Sequence, residues 1–340
     1  MTWTFISLPV RLAAVLVACA LLFSLSLVAA EPVVEFDAWM TPSDPAFPHD
    51  PAVSPDGTIW YAGQRASVVG RLDPRTGKFQ EWATPTPGSG PHGLIADKNG
   101  NVWYTGNAKG NIGMVNPNTG EVKEYQMPDP SARDPHTPIF DQDGILWFTV
   151  QQGNMIGRLD PATGDIKLVD SKTPNSRPYG IKINSQGVPF FDLFNTNKIG
   201  SIDPATMEIT EYELPNPQAR PRRIGIAADG TVYYTDYGRG YLGHLDPKTG
   251  KVEEWASPGG ARSRPYGMAI TPDGWVWYVE TGTPTENVLV AFDPETEQMY
   301  PFVIPSGGGT VRHMVTTEDG DLWLADSGVG TLTRVRIVED

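Results

Sequence analysis

Cysteine is almost missing from this chain: its 340 residues contain one, Cys19. Everything from Glu31 onward is thiol-free, which excludes disulfides, thiolate nucleophiles and cysteine-held zinc there. Positive charge is also scarce, with 26 Lys and Arg against 40 Asp and Glu, a net charge of −14. Arg11 is the only charged residue before Glu31, so the remainder carries −15. That balance argues against nucleic acid or an anionic membrane surface as a partner. Beyond residue 30 there is no helical periodicity of useful length and no linker-like or low-complexity stretch. The roughly 310 residues after Ala30 therefore read as one large domain, 31–340.

The first thirty residues differ in kind. Arg11 precedes an uncharged, mostly apolar run from Leu12 to Ala30 that ends in Val28-Ala29-Ala30. A short basic start, an apolar middle and a small-residue end predict an export signal over 1–30, cleaved after Ala30. The run is nearly long enough for a retained anchor, and Leu16-Val17-Ala18-Cys19 has a lipobox-like shape. The apolar run continues well past Cys19, which favours cleavage. The expectation is an exported protein, periplasmic or secreted, with no stable membrane insertion after cleavage.

What the chain has in abundance is repetition. Its second-half motif stands as Gly70-Arg71-Leu72-Asp73-Pro74, Gly157-Arg158-Leu159-Asp160-Pro161, Gly200-Ser201-Ile202-Asp203-Pro204 and Gly243-His244-Leu245-Asp246-Pro247. An aromatic pair recurs as Trp60-Tyr61, Trp103-Tyr104, Trp147-Phe148, Phe190-Phe191, Tyr233-Tyr234 and Trp277-Tyr278, with Trp323-Leu324 last. Asp-Gly or Asn-Gly turns, as at Asp56-Gly57 and Asn99-Gly100, are strong hairpin signals. Asp-Pro-x-Thr-Gly is a turn with proline presetting φ. Units of about 43 residues built this way are the four-stranded meanders of propeller blades. Seven copies predict an all-β, seven-bladed β-propeller with four antiparallel strands per blade.

The last unit ends after a third strand, Thr331 to Val338, while Val33 to Trp39 reads as a fourth strand without a blade. Pairing the two closes the ring and removes an exposed edge.

In such a blade the start of strand one and the end of strand two share the channel rim. The entry position, seven residues before each Asp-Gly equivalent, holds His49, His92, His136, Tyr179, Arg222, Tyr266 and Arg312. Two residues earlier stand Phe47, Gly90, Asp134, Arg177, Arg220, Arg264 and Thr310. Strand two ends in Gly63, Gly106, Val150, Leu193, Asp236, Glu280 and Asp326. Histidines on blades one to three offer imidazoles for proton transfer or metal ligation at a solvent-facing rim. Arg177, Arg220 and Arg264 on blades four to six offer guanidinium forks suited to a carboxylate. Each histidine taken singly fits equally well as a structural imidazole bonded to a neighbouring blade, and Arg264 with Glu280 fits a rim ion pair. The aromatic rows read as packing between blades, and His244 as a solvated face. His313 is one residue off the rim register and stays open.

The repeat Pro-His-Gly … Asp-Gly … Trp-Tyr-Thr … Ile-Gly-Arg-Leu-Asp-Pro resembles the virginiamycin B lyase (streptogramin lyase) family across the whole of 31–340. The resemblance implies a carbon–oxygen lyase that opens a cyclic ester by elimination, with Mg²⁺, a histidine base and no organic cofactor. The family pattern sets a Glu-Pro-His at a blade entry, a Glu ending that blade's second strand, and a His entering the preceding blade. Glu280 matches the second glutamate and so a metal ligand. Arg264 stands at the other glutamate, Tyr266 at the base and Arg222 at the preceding histidine. A rotated copy reads His92, Asp134 and His136, with Val150 in the fourth place. The resemblance so carried over makes His136 and His92 catalytic and Glu280 and Asp134 metal-binding, with His49 as a ligand in place of Val150. The Arg/Tyr side of the rim makes Tyr179, Arg222, Tyr266, Arg264 and Arg177 substrate-binding.

Two functions follow: a metal-assisted lyase acting on a cyclic ester or other anionic small molecule, or a monomeric module that binds an anionic ligand or peptide without chemistry. A gluconolactonase-like site would use Glu, Asn and Asp on channel strands, and no suitable Asn stands there. Quinone-bearing propeller oxidoreductases usually show a vicinal disulfide, which this chain cannot form.

Overall fold

The computed structural model describes residues 1, 31–283 and 285–338. The expected export signal, with Arg11 and Cys19, lies outside the described residues except for Met1. The described chain folds into seven sheets of four antiparallel strands, six of them simple meanders and the seventh completed by the N-terminal strand. The first strand of each sheet packs against the first strands of its two neighbours, around a ring that closes. This is the expected seven-bladed propeller. Among the described residues, helix is limited to the 3-10 turn Gly260–Arg262.

The repeats now have physical reasons. Six first strands begin with proline, at Pro48, Pro91, Pro135, Pro178, Pro221 and Pro265, the strand position where a missing N–H costs no ladder bond. The Asp-Gly turns place glycine in the left-handed region, with φ of 78° at Gly57 and 81° at Gly100. The motif glycine of the third strand is set by the second-strand aromatic opposite it. A Cβ on Gly70 would lie 2.0 Å from Tyr61 Cζ, and one on Gly113 would lie 1.9 Å from Tyr104 Cζ. Each phenol crosses its glycine to donate to a fourth-strand acid, Tyr61 to Glu81 at 2.5 Å and Tyr104 to Glu124 at 2.7 Å. The two halves of the repeat are thus one packing unit, and its buried tryptophans, such as Trp60, Trp147 and Trp277, fill the space between blades.

The ring closes as the sequence predicts. Val33–Met40 pairs antiparallel with Thr331–Val338, setting Val34 opposite Ile337 and Trp39 opposite Leu332. Trp39 also stacks on Trp323 of the last blade, ring centroids 5.3 Å apart. Trp39→Ala is expected to lower the unfolding free energy by about 2 kcal/mol, from lost apolar burial and one stacked pair. Urea denaturation checks this, and an unchanged midpoint would mean that the closing strand contributes nothing there.

Candidate functional site: the channel mouth

Each first strand shifts register immediately after its first residue. In blade one Pro48 faces Gly63 but Pro51 already faces Tyr61, and in blade five Pro221 faces Asp236 but Arg223 faces Thr235. Such bulges re-aim side chains at a rim. Here they deliver two consecutive residues per blade to the channel, where a regular strand would send one to each face. The entry residue sits at the mouth and the next one lies beneath it.

The upper layer is the row read from the sequence. His49, His92, His136 and Tyr179 form an arc of touching rings, with successive centroids 3.5, 3.8 and 3.8 Å apart. The second-strand threonines fix its backbone. Thr105 Oγ1 donates to the His136 carbonyl at 2.7 Å, and Thr149 Oγ1 to that of Tyr179 at 2.6 Å. The expected solvent-facing rim is not what forms here. The three imidazoles are 2, 5 and 1% exposed, because they stack on one another and on Tyr179. Burial foremost, and then the nearby positive charge or the adjoining imidazole, holds all three well below the usual histidine range. They are neutral at pH 7.

Arg222 completes the ring from blade five. Its guanidinium carbon lies 3.8 Å from the Tyr266 ring centroid, 4.1 Å from Tyr237, 4.8 Å from Phe194 and 5.2 Å from Tyr179. Four aromatic faces hold one cation, and beneath it the Tyr179 and Tyr266 hydroxyls are hydrogen-bonded to each other.

The lower layer holds Asp50, Thr137, Arg223 and His313 on the odd-numbered blades, and Gly93, Gly180 and Gly267 on the even ones. The glycines leave room for the neighbouring blade: a Cβ on Gly93 would lie 2.1 Å from the His136 carbonyl oxygen. Arg223, 1% exposed, reaches across the channel. It donates to Asp50 Oδ1 at 2.9 Å, Thr137 Oγ1 at 3.0 Å and the Arg312 carbonyl at 3.2 Å. One guanidinium therefore ties blade five to blades one, three and seven below the mouth.

The cavity above this tie has a volume of about 540 Å³. Of the residues singled out in the sequence, His49, His92, Asp134, His136, Arg177, Tyr179 and Arg222 line it together. Tyr266 lies buried under Arg222. Arg264 is outside the lining, donating to the Tyr237 hydroxyl at 3.1 Å. Glu280 is outside the lining. Its buried carboxylate accepts from the Ser257 hydroxyl and, at 2.8 Å, from the Gly259 amide. Asp236 and Asp326 likewise accept turn amides, those of Gly238 and Gly328 at 3.0 and 3.1 Å. The strand-two carboxylates thus anchor loops.

On blades one to four the residue after the end of strand two reaches the cavity: Gln64, Asn107, Gln151 and Phe194 line it, with Arg65 beside them. These, Tyr237 and the lower layer were not foreseen. The signal was a fixed offset of one from rows already drawn. His313 is buried in the lower layer, and His244 pairs with Glu253 at 2.9 Å on the outer face.

Asp134 is the one acid lining the cavity. Burial, working against hydrogen bonds from Gln152 and Asn107 and the charge of Arg177, pushes its carboxyl up to about 7.

Magnesium does not suit this donor set. Glu280, Asp134 and His49 do not meet. Among the described residues, one group has ligand atoms within 4.8 Å of one another: His49, Asp50 and His92. It is nitrogen-rich, whereas Mg²⁺ demands oxygen in an octahedral shell. Its carboxylate is already held by Arg223, and Arg222 and Arg312 add positive field.

Fold and site together define a seven-bladed propeller whose polar, arginine-rich channel mouth lies above a layer tied across by Arg223. The family model of the virginiamycin B lyase family matches residues 27–283, and the chain belongs to that family. None of the curated proteins compared with it matches. Among solved structures, a streptogramin B lyase superposes with a TM-score of 0.82 at 24% identity, covering 90% of this chain and 98% of that one. Virginiamycin B lyase from Staphylococcus aureus gives 0.82 at 22% identity, covering 90% and 100%. A catalytically inactive histidine-to-alanine form of the latter, solved with quinupristin, gives 0.81 at 22% with the same coverage. At these identities the likeness is one of fold.

Proposed function

We propose that the channel mouth binds a small anionic ligand, a free acid or a peptide end bearing a carboxylate. One observation carries this reading. Arg65, Arg177, Arg222 and Arg312 line the same cavity as three neutral imidazoles, opposed by Asp134 alone. Guanidinium groups around a partly desolvated pocket select carboxylates through paired charge-assisted hydrogen bonds. The test is calorimetric titration of residues 31–340 with N-acetyl-L-alanine and with its amide. Binding of the acid alone supports the reading, and equal binding of both, or of neither, removes it. Arg222→Lys keeps the charge but loses the planar fork and its stacking, and is expected to weaken the acid roughly tenfold.

A second reading is favoured by the imidazole arc. The same mouth would hold a cyclic ester and open it by elimination, an imidazole taking the proton as the ester C–O bond breaks to leave an alkene and a carboxylate. Mass spectrometry of quinupristin incubated with residues 31–340, with Mg²⁺ and again with EDTA, tests it. A linearised isobaric product supports catalysis, and none under either condition leaves the binding reading alone. Export to the periplasm or medium completes the proposal and rests on the apolar run before Glu31.

A further inference from the structure

The lower layer fixes the ring protons of two imidazoles in opposite senses. Asp50 Oδ1 accepts a hydrogen bond from Arg223 at 2.9 Å and stands 2.8 Å from His49 Nδ1. A carboxylate ion-paired with a guanidinium has no proton to give, so His49 Nδ1 is the donor. Neutral His49 then keeps a bare lone pair on Nε2.

Blade three gives the reverse. Arg223 Nη1 donates to Thr137 Oγ1 at 3.0 Å, and that oxygen stands 2.9 Å from His136 Nδ1. The hydroxyl has one proton, and among the described residues no other acceptor is recorded for it. It therefore goes to His136 Nδ1, and neutral His136 carries its own proton on Nε2. Among the described residues neither Nε2 atom has a hydrogen-bond partner, and both residues line the cavity.

We infer that Arg223, acting through Asp50 and Thr137, is a positioning residue that makes His49 a hydrogen-bond acceptor and His136 a donor, so that the mouth selects acids with an N–H or O–H donor beside the carboxylate. An N-acylated amino acid, a peptide C-terminus and a 2-hydroxy acid meet that pattern, and a plain carboxylate does not. The inference deepens the anion-binding reading, and its ligand half rests on it. The tautomer half does not.

Long-range ¹H–¹⁵N correlation spectra of ¹⁵N-histidine-labelled 31–340 at neutral pH test the tautomers directly. The expected result is Nδ1–H for His49 and Nε2–H for His136, and the same tautomer at both would overturn the inference. Arg223→Met should release His136 into a mixture while Asp50 still accepts from His49 Nδ1, and Asp50→Leu should release His49. Thr137→Val, a milder change that spares the Arg223–Asp50 pair, should release His136 alone, and an unmoved His136 would overturn the role of Thr137. Titration with N-acetyl-L-alanine against N-acetyl-N-methyl-L-alanine then reads the acceptor. About tenfold tighter binding of the N–H form is expected, and equal binding would overturn the selectivity. If neither acid binds while the tautomers stand as stated, the anion-binding reading has failed and the positioning role has not.

Discussion

Replacing Arg223 with methionine is expected to lower the unfolding free energy by about 3–5 kcal/mol, the range for breaking a buried ion pair from one side. Methionine keeps much of the stem's volume, so the loss is electrostatic more than steric. Asp50, 1% exposed, would be left with a buried carboxylate that has lost its ion-pair partner. The Thr137 hydroxyl and the Arg312 carbonyl would lose their donor as well. Asp50→Leu added to Arg223→Met should recover much of the loss, because removing both charges also removes their desolvation cost. Urea midpoints of the single and double variants separate these contributions. A single variant within about 1 kcal/mol of the parent, below the cost of an unsatisfied buried group, would show that the tie across the channel is not what holds the blades in register.

The fold was legible because its determinants are local and repeat seven times. Trp60-Tyr61 and Gly70 mark a second strand and a third, and the Tyr61–Gly70 contact explains why they travel together. Even the closing strand could be placed, since Val33 to Trp39 was a strand in search of a blade. The site was half legible. Counting back from the Asp-Gly turns found the upper layer, His49 through Arg312, because those residues keep a fixed distance from a recognisable turn. The bulge carries no such mark. It adds one residue to the inner strand and so turns Asp50, Thr137 and Arg223 into the channel, where strict alternation would have set them between blades. The end of strand two, expected at the rim, equally suggested that Glu280 reaches the mouth, whereas its partner is the Gly259 amide. Nor could spacing show that three imidazoles would lie in contact with one another and so lose their charge. That follows from how narrow the channel is, a property of all seven blades together.

The pH dependence of stability should carry the signature of Asp134. Burial raises its carboxyl from the usual value of 3.8 to about 7 in the folded chain. Between those values the folded protein holds a proton that the unfolded chain has released. Stability from this group is therefore greatest at low pH and falls as pH rises from about 4 to about 7, by roughly 1.4 kcal/mol per unit and about 4 kcal/mol in all. Asp134→Asn removes the titration and little else. The side-chain oxygen still accepts from Asn107, and asparagine suits the left-handed backbone, φ 66°. Relative to the parent, the variant should gain stability as urea denaturation is repeated from pH 4.5 to about pH 7, and level off by pH 8. Asp192 and Asp326, also raised by burial, titrate in both proteins and cancel in the difference. A difference that stays flat with pH would mean Asp134 is ionised in the fold. The same proton bears on the mouth: with Asp134 neutral, nothing lining the cavity opposes Arg65, Arg177, Arg222 and Arg312, so an acid that stays ionised should bind more tightly at pH 6 than at pH 8.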